Sequence, residues 1–238
     1  MAVVVWVFAG GGEAEVRGLT QFLDKNFPGC QFVRKTPVRQ KPGPKPNKVV
    51  SYGKTGQSLI EQIKQELPIA LRVERNKCNL ILVFDDLDCR NPDTQKQQIL
   101  AAIDTISGCD NIEKFVGFAA PELEAWIIGD WNNTVANHPD FRDRHQRMRW
   151  WLSTQRNIPF DNPESFSEYD PERDCCQEKL SEALIESSVQ DEADRHKPRF
   201  SKGLHTPELI RQINSSELQR KCPLFRELYN YLHNLCQN

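Results

Sequence analysis

Carboxylates stand directly behind three apolar runs of this chain. Glu13 and Glu15 follow Val3 to Phe8, Asp85, Asp86 and Asp88 follow Asn79 to Phe84, and Glu122 and Glu124 follow Phe115 to Phe118. If the runs are neighbouring strands of one sheet, the acids meet at one edge. Carboxylates crowded together repel unless a cation neutralises them. Hard oxygen ligands from several loops suit Mg²⁺ or Mn²⁺, and two such ions can clamp the attacking and leaving oxygens of a phosphodiester. Each acid also has a plainer use. Acids in a helix first turn are favoured by the macrodipole whatever the function, and an Asp-Asp-x-Asp turn is often a solvated cap. Convergence, not any single residue, carries the chemical reading.

The elements that must position these acids follow from the hydrophobic pattern. Val3 to Phe8 and Asn79 to Phe84 are near-continuous apolar runs, which predicts strands buried on both faces. Cys30 to Val33 and Phe115 to Phe118 predict two more. Between them Val16, Leu19, Phe22 and Leu23 recur at helical spacing, as do Leu59, Ile60 and Ile63. Asn91-Pro92 predicts a helix start, through about Ile106, and Pro121 another, through Ile128. Strand and helix in alternation predict a parallel sheet with right-handed crossovers. In such a sheet ligands sit outside the carboxyl ends of the strands. Residues 1–130 are therefore expected to form an α/β core. Residues 131–238 are expected to form a mainly helical extension packed on it, with helices near Gln177–Val189, Pro207–Ile213 (Thr206 as cap) and Glu217–Leu235.

Composition narrows the function. The chain has 238 residues, 31 basic and 33 acidic, for a net charge of -2. A global pull toward nucleic acid is absent, so contact with a polyanion needs local patches. Arg34 to Lys48, with six basic residues, four prolines and no acid, reads equally as such a patch or as a solvated loop. Arg142, Arg144, Arg147 and Arg149 with Trp150 and Trp151 are a weaker one, better read as a helix with a solvated face and a buried tryptophan. Gly53-Lys54-Thr55-Gly56 lacks the earlier glycine and the preceding strand of a nucleotide-binding loop. Asp86-x-Asp88 continues Cys89-Arg90, unlike a phosphatase nucleophile loop. Ala2 to Ala9 is too short to span a bilayer and lacks a basic leader. None of the eight cysteines forms a C-x-x-C pair, so reduced thiols in a cytoplasmic protein are expected.

The glycine-acid loop after the first strand, Asp86-x-Asp88, and Pro121-Glu-Leu-Glu-Ala-Trp-Ile-Ile-Gly-Asp130 resemble Toprim-related bacterial proteins. The nearest likeness is the domain of unknown function 4276 family. Its members carry a late segment similar to Ser201-Lys202-Gly203-Leu204-His205. The resemblance covers the N-terminal sheet and Lys197 to Ile213. It implies a Toprim/Rossmann-like fold and a metal-dependent nuclease-like centre using Mg²⁺ or Mn²⁺. Its substrate would be nucleic acid, and its partner an ATPase of the AAA or SMC type in antiviral defence. Carried over by position, Asp86 and Asp88 are metal ligands, Glu13 a ligand and catalytic acid, and Glu124 an additional acid. Lys202 would stabilise charge on the scissile phosphate. At one point the chain departs from the pattern: the glutamate expected just before the glycine turn is Ala9 or Gly11. The alternative is a catalytically impaired scaffold that binds nucleic acid or a partner protein. His205, in the same segment, reads as a helix-start or core histidine before it reads as a ligand.

Overall fold

A computed structural model describes residues 2–10, 12–36, 56–74, 77–189, 191, 194, 196 and 198–237, and of Glu13, Ala14 and Glu15 the backbone alone. The basic, proline-rich segment beyond Thr36 and the loop at Gly53-Lys54-Thr55 lie outside the described residues.

Four parallel strands, β1 (Val3–Ala9), β2 (Cys30–Thr36), β3 (Leu80–Asp86) and β4 (Glu113–Ala119), form one sheet in the order β2-β1-β3-β4. The two most apolar runs, β1 and β3, take the central places, where a strand is covered on both faces and flanked on both sides. Successive side chains alternate between those faces. Val5, Val7, Ala9, Leu80, Leu82 and Phe84 enter one core, and Trp6, Phe8, Ile81 and Val83 the other. Helices α2 (Gln57–Val73) and α3 (Pro92–Asp104) cover the second face through Leu59, Ile63, Leu67, Ile99 and Ile103. The capping signal at Asn91 is realised: its side chain accepts a hydrogen bond from Thr94 N at 2.9 Å.

The first face is covered by α1 (Glu13–Asn26) and α4 (Glu124–Gly129) together with helices from the second half of the chain. These are α5 (His145–Gln155), α6 (Leu180–Ser187), α7 (Lys202–Gln212), α8 (Ser215–Lys221) and α9 (Pro223–Gln237). A short ladder, β5 (Tyr169–Asp170) with β6 (Cys175–Cys176), lies between α5 and α6 in sequence. The extension is thus part of one core, with Phe141, Met148, Leu184, Leu209 and Phe225 joining Trp126 and Phe22.

Three expectations are corrected. The last helix is two, because the chain breaks at Cys222-Pro223. Helix α7 begins at Lys202, with Thr206 and Pro207 inside it rather than at its start. In α5 the residues fully in the core are Met148 and Leu152; Trp151 packs against it only partly buried, and Trp150 is exposed.

The cysteines also depart from the reduced-thiol reading. Cys30 at the start of β2 is bonded to Cys236 at the end of α9, and Cys89 behind β3 to Cys176 in β6. Their Cα atoms lie 5.5 and 5.1 Å apart, within ordinary disulfide reach. The partners are 206 and 87 residues apart in sequence, so no local spacing announces them. Cys78, Cys109, Cys175 and Cys222 are free thiols.

Helix α7 bears most directly on the site. A side chain at Gly18 would place its Cβ 2.7 Å from Pro207 Cα, so only glycine lets α1 and α7 approach this closely. Further along, Lys25 Nζ donates to Arg211 O at 3.1 Å. Contacts that advance together along both helices mean that the two run in the same direction. Their N-termini, Glu13 and Lys202, therefore lie at the same end of the layer.

Candidate active site at the carboxyl edge of the sheet

The carboxyl ends of the strands are laced into one rim. Thr36 Oγ1 donates to Ala9 O at 3.2 Å and Gly10 N to Phe84 O at 2.8 Å. Leu87 N donates to Ala119 O at 2.9 Å, and Asp88 N to Pro121 O at 2.8 Å. The loops behind β1, β3 and β4 are therefore adjacent, as the strand order requires.

Asp85 and Asp86 are consecutive and so leave β3 on opposite faces. Asp85 turns toward α2, where its Oδ2 accepts from Gly56 N at 2.8 Å. Gly56 has φ +60 and lies under the Arg90 guanidinium, so this tight entry into α2 favours glycine on both counts. Asp85 is fully buried, and its Oδ1 has no hydrogen-bond partner among the described residues. Burial pushes its carboxyl up to about 7, against the opposing pull of the Gly56 N–H. The folded protein thus keeps a proton that the unfolded chain releases near pH 4. The contribution of this group to stability is present below that pH and is lost as pH rises to about 7. Asp85→Asn is expected to remove this loss, leaving the variant more stable than wild type at pH 8 by about 4 kcal/mol and equal to it near pH 4. Urea titrations at the two pH values measure the difference; an equal offset at both would show that Asp85 is ionised in the fold.

Asp86 turns to the other face, where its Oδ1 accepts from Leu123 N at 2.9 Å. Asp88 has φ 49 and Cys89 φ 61, two left-handed residues in succession that reverse the chain. Asp88 Oδ2 is 3.4 Å from Arg90 Nη1, and Arg90 also grips Asp174 at 3.0 Å. The Cys89–Cys176 bridge fastens the same turn to β6.

The residues behind β4 complete the rim. Glu122, buried, accepts from Ser181 N at 2.9 Å and from the Ser181 hydroxyl at 3.0 Å. Glu124 is fully buried at the start of α4 and accepts from Thr206 Oγ1 at 2.9 Å. Lys202 stands between them, its Nζ 3.4 Å from Glu122 Oε2 and 3.4 Å from Glu124 Oε2. Lys202 and Thr206 are four residues apart on α7 and share a face. That face brings a cation and a hydroxyl to two carboxylates about eighty residues away.

Of the residues singled out in the sequence, Asp86, Glu124 and Lys202 come to the same rim, on the α1, α4 and α7 side of the sheet. Asp88 belongs to the neighbouring turn and is engaged by Arg90. The backbone of Glu13 opens α1 at this end, and its side chain lies outside the described residues. Asp86, Asp88 and Glu124 do not by themselves bring three ligand atoms within 4.8 Å. Among the described residues the group that does is His138, Asp140 and His205. Sequence reasoning passed over Glu122 as a site residue, although it stood in the same motif. It also read Thr206 as a cap, and no spacing pointed to Ser181, His138 or Asp140.

No protein-family model, curated protein or solved structure matches the chain. No helix among the described residues is long and apolar enough to cross a membrane. On its own geometry the chain is an α/β protein with a Rossmann-like four-stranded parallel sheet.

Proposed function

We propose that the carboxyl edge of the sheet is a Toprim-like centre for Mg²⁺- or Mn²⁺-dependent cleavage of phosphodiesters in nucleic acid. One observation carries the reading: Asp86, Glu122 and Glu124, all buried, gather on one face of this edge with Lys202 set between the two glutamates. Buried carboxylates are costly unless compensated. An edge that keeps three of them, and brings a lysine from a distant helix to meet them, is suited to hold a divalent ion and a phosphate. Asp86 and Glu124 would ligate the ion, with Glu13 and Asp88 as further acids from the adjoining loops. Lys202 would meet the phosphate oxygen on which charge develops. An ATPase partner of the AAA or SMC type, a role in antiviral defence and a cytoplasmic setting belong to the same proposal. In that setting the two disulfides would have to persist against a reducing thiol pool.

Incubation of the protein with supercoiled plasmid and Mn²⁺ or Mg²⁺ tests it. Wild type is expected to nick the plasmid, and Asp86→Ala to lower the rate at least a hundredfold. Equal rates in the two proteins, or no cleavage by either, overturn the catalytic reading.

A second reading rests on how well these acids are already partnered. Asp86 is held by Leu123 N, Glu122 by Ser181, and Glu124 by Thr206. With Ala9 or Gly11 where a glutamate is expected, such an edge suits a scaffold that binds nucleic acid without cutting it. Calorimetric titration with Mg²⁺ separates the two, because the scaffold reading expects no heat at the edge.

A further inference from the structure

We propose that His138, Asp140 and His205 form a second metal site, built for a borderline transition ion such as Zn²⁺ and distinct from the acidic edge. One ring nitrogen of each histidine and a carboxylate oxygen of Asp140 lie within 4.8 Å of one another. His205 Nε2 is 3.1 Å from Asp140 Oδ2. That separation is close to the ligand–ligand edge of roughly 3.3 Å in a tetrahedron with bonds of about 2.0–2.1 Å. Two imidazoles and one carboxylate make a donor set for zinc or a similar ion rather than for Mg²⁺, which takes oxygen.

The surroundings fit an ion with one open side. Both histidines are buried, and their rings pack on Phe141 at 5.2 and 4.9 Å between centroids. Phe200 stacks on His205 at 5.6 Å. Asp140 is exposed, so the site borders solvent, from which water would come as a fourth ligand. Metal-bound histidines are ordinarily oriented through their other nitrogen by a carboxylate or a backbone carbonyl. Here Glu208 Oε2 lies 3.2 Å from His138 Nε2. His205 Nδ1 now accepts from Ser201 N at 2.8 Å and has Ser201 O at 3.3 Å. Ligation through His205 Nε2 puts the ring proton on Nδ1, so the bond from Ser201 N gives way to one donated by Nδ1 to Ser201 O.

The site is also separate from the acidic edge in its place on α7. At 100° per residue, His205 points roughly 60° around the helix axis from Lys202 and roughly 100° from Thr206, and Glu208 lies further round on the same side. One helix thus carries the lysine of the edge and, on an adjoining stripe, the zinc ligand.

Equilibrium dialysis of the full chain against Zn²⁺ tests the assignment. Wild type is expected to hold one ion per chain. Asp140→Ala, an exposed substitution that leaves the core untouched, is expected to weaken binding at least a hundredfold. Glu208→Gln should weaken it about 10–100-fold. Asp86→Ala, which removes an acid of the edge, should leave it unchanged. Fewer than one ion per chain overturns the proposal, as does unchanged affinity in Asp140→Ala, which would assign the zinc to free thiols such as Cys78 or Cys175. Equal loss in Asp86→Ala would place the ion at the acidic edge and overturn it too. Zinc retained with plasmid cleavage absent would leave this site standing and remove the nuclease reading.

Discussion

Trp126→Ala is expected to lower stability by about 3–5 kcal/mol, the range for emptying a large aromatic site in a core. Trp126 is fully buried, and its ring meets Phe22 of α1 at 5.7 Å, Phe84 of β3 at 5.4 Å and Phe225 of α9 at 4.8 Å between centroids. Three elements that span the chain therefore close on this one side chain. The last two contacts are edge-on, the arrangement in which aromatic pairs add about 0.5–1.5 kcal/mol beyond their buried area. A globular chain has only about 5–15 kcal/mol of net stability, so the loss is a large share of the whole. At roughly 2–4 °C per kcal/mol for a chain of this size, melting should fall by roughly 6–20 °C. Thermal denaturation followed by near-UV circular dichroism measures this. A fall of less than about 3 °C would mean that residues 1–130 and the extension do not share a core. The same packing implies that residues 1–130 alone would expose Trp126 and Ile128, and would not fold as a soluble unit.

Lys202→Met should cost about 3 kcal/mol in the absence of divalent ions. Removing one partner of a buried ion pair costs about 3–5 kcal/mol, because the remaining charge is stranded. The lower end applies here since the lysine side chain is one-third exposed and water can screen what is left. Glu122 and Glu124 lose their shared cation, and the fully buried Glu124 suffers most. If this edge holds Mg²⁺, the ion should restore part of the loss. At a concentration a hundred times its dissociation constant, an ion that binds only the folded state adds about 2.7 kcal/mol. Melting of the variant with and without 10 mM Mg²⁺ is the measurement, a hundredfold excess for a site with a dissociation constant of about 0.1 mM. Destabilisation without recovery would show that the lysine neutralises the glutamates for the fold alone. No destabilisation would show that the fold does not depend on the lysine's charge beside the glutamates.

How much of this was legible in the sequence depends on the range of the interaction responsible. The parallel sheet follows from runs such as Val3 to Phe8 and Asn79 to Phe84, because a strand apolar on both faces has no stable place except between two layers. The Asn91 cap of α3 follows from a contact three residues long. The acids behind β3 and β4 were visible for the same reason, since a strand end fixes the place of the residue after it. Their facing was not. Whether Asp85 or Asp86 points to the side of α4 depends on a register that only the packed sheet defines.

Helix α7 marks the boundary most clearly. Thr206-Pro207 carries a local signal for a helix start, and the helix nevertheless begins at Lys202. Packing of Pro207 on Gly18 and the pull of Glu122 and Glu124 on Lys202 and Thr206 outweigh that signal. The disulfides and the His138, Asp140 and His205 cluster are of the same kind. They join residues between 65 and 206 positions apart, with no periodicity to mark them. The sequence by itself determined the four strands and most of the helices of the first 130 residues and which strand ends carry acid, because these depend on neighbours along the chain. Which acids face the lysine, which cysteines pair and where two histidines meet was decided only by tertiary structure. Such contacts form after the layers have packed, and hydrophobic packing fixes the layers without regard to spacing in sequence.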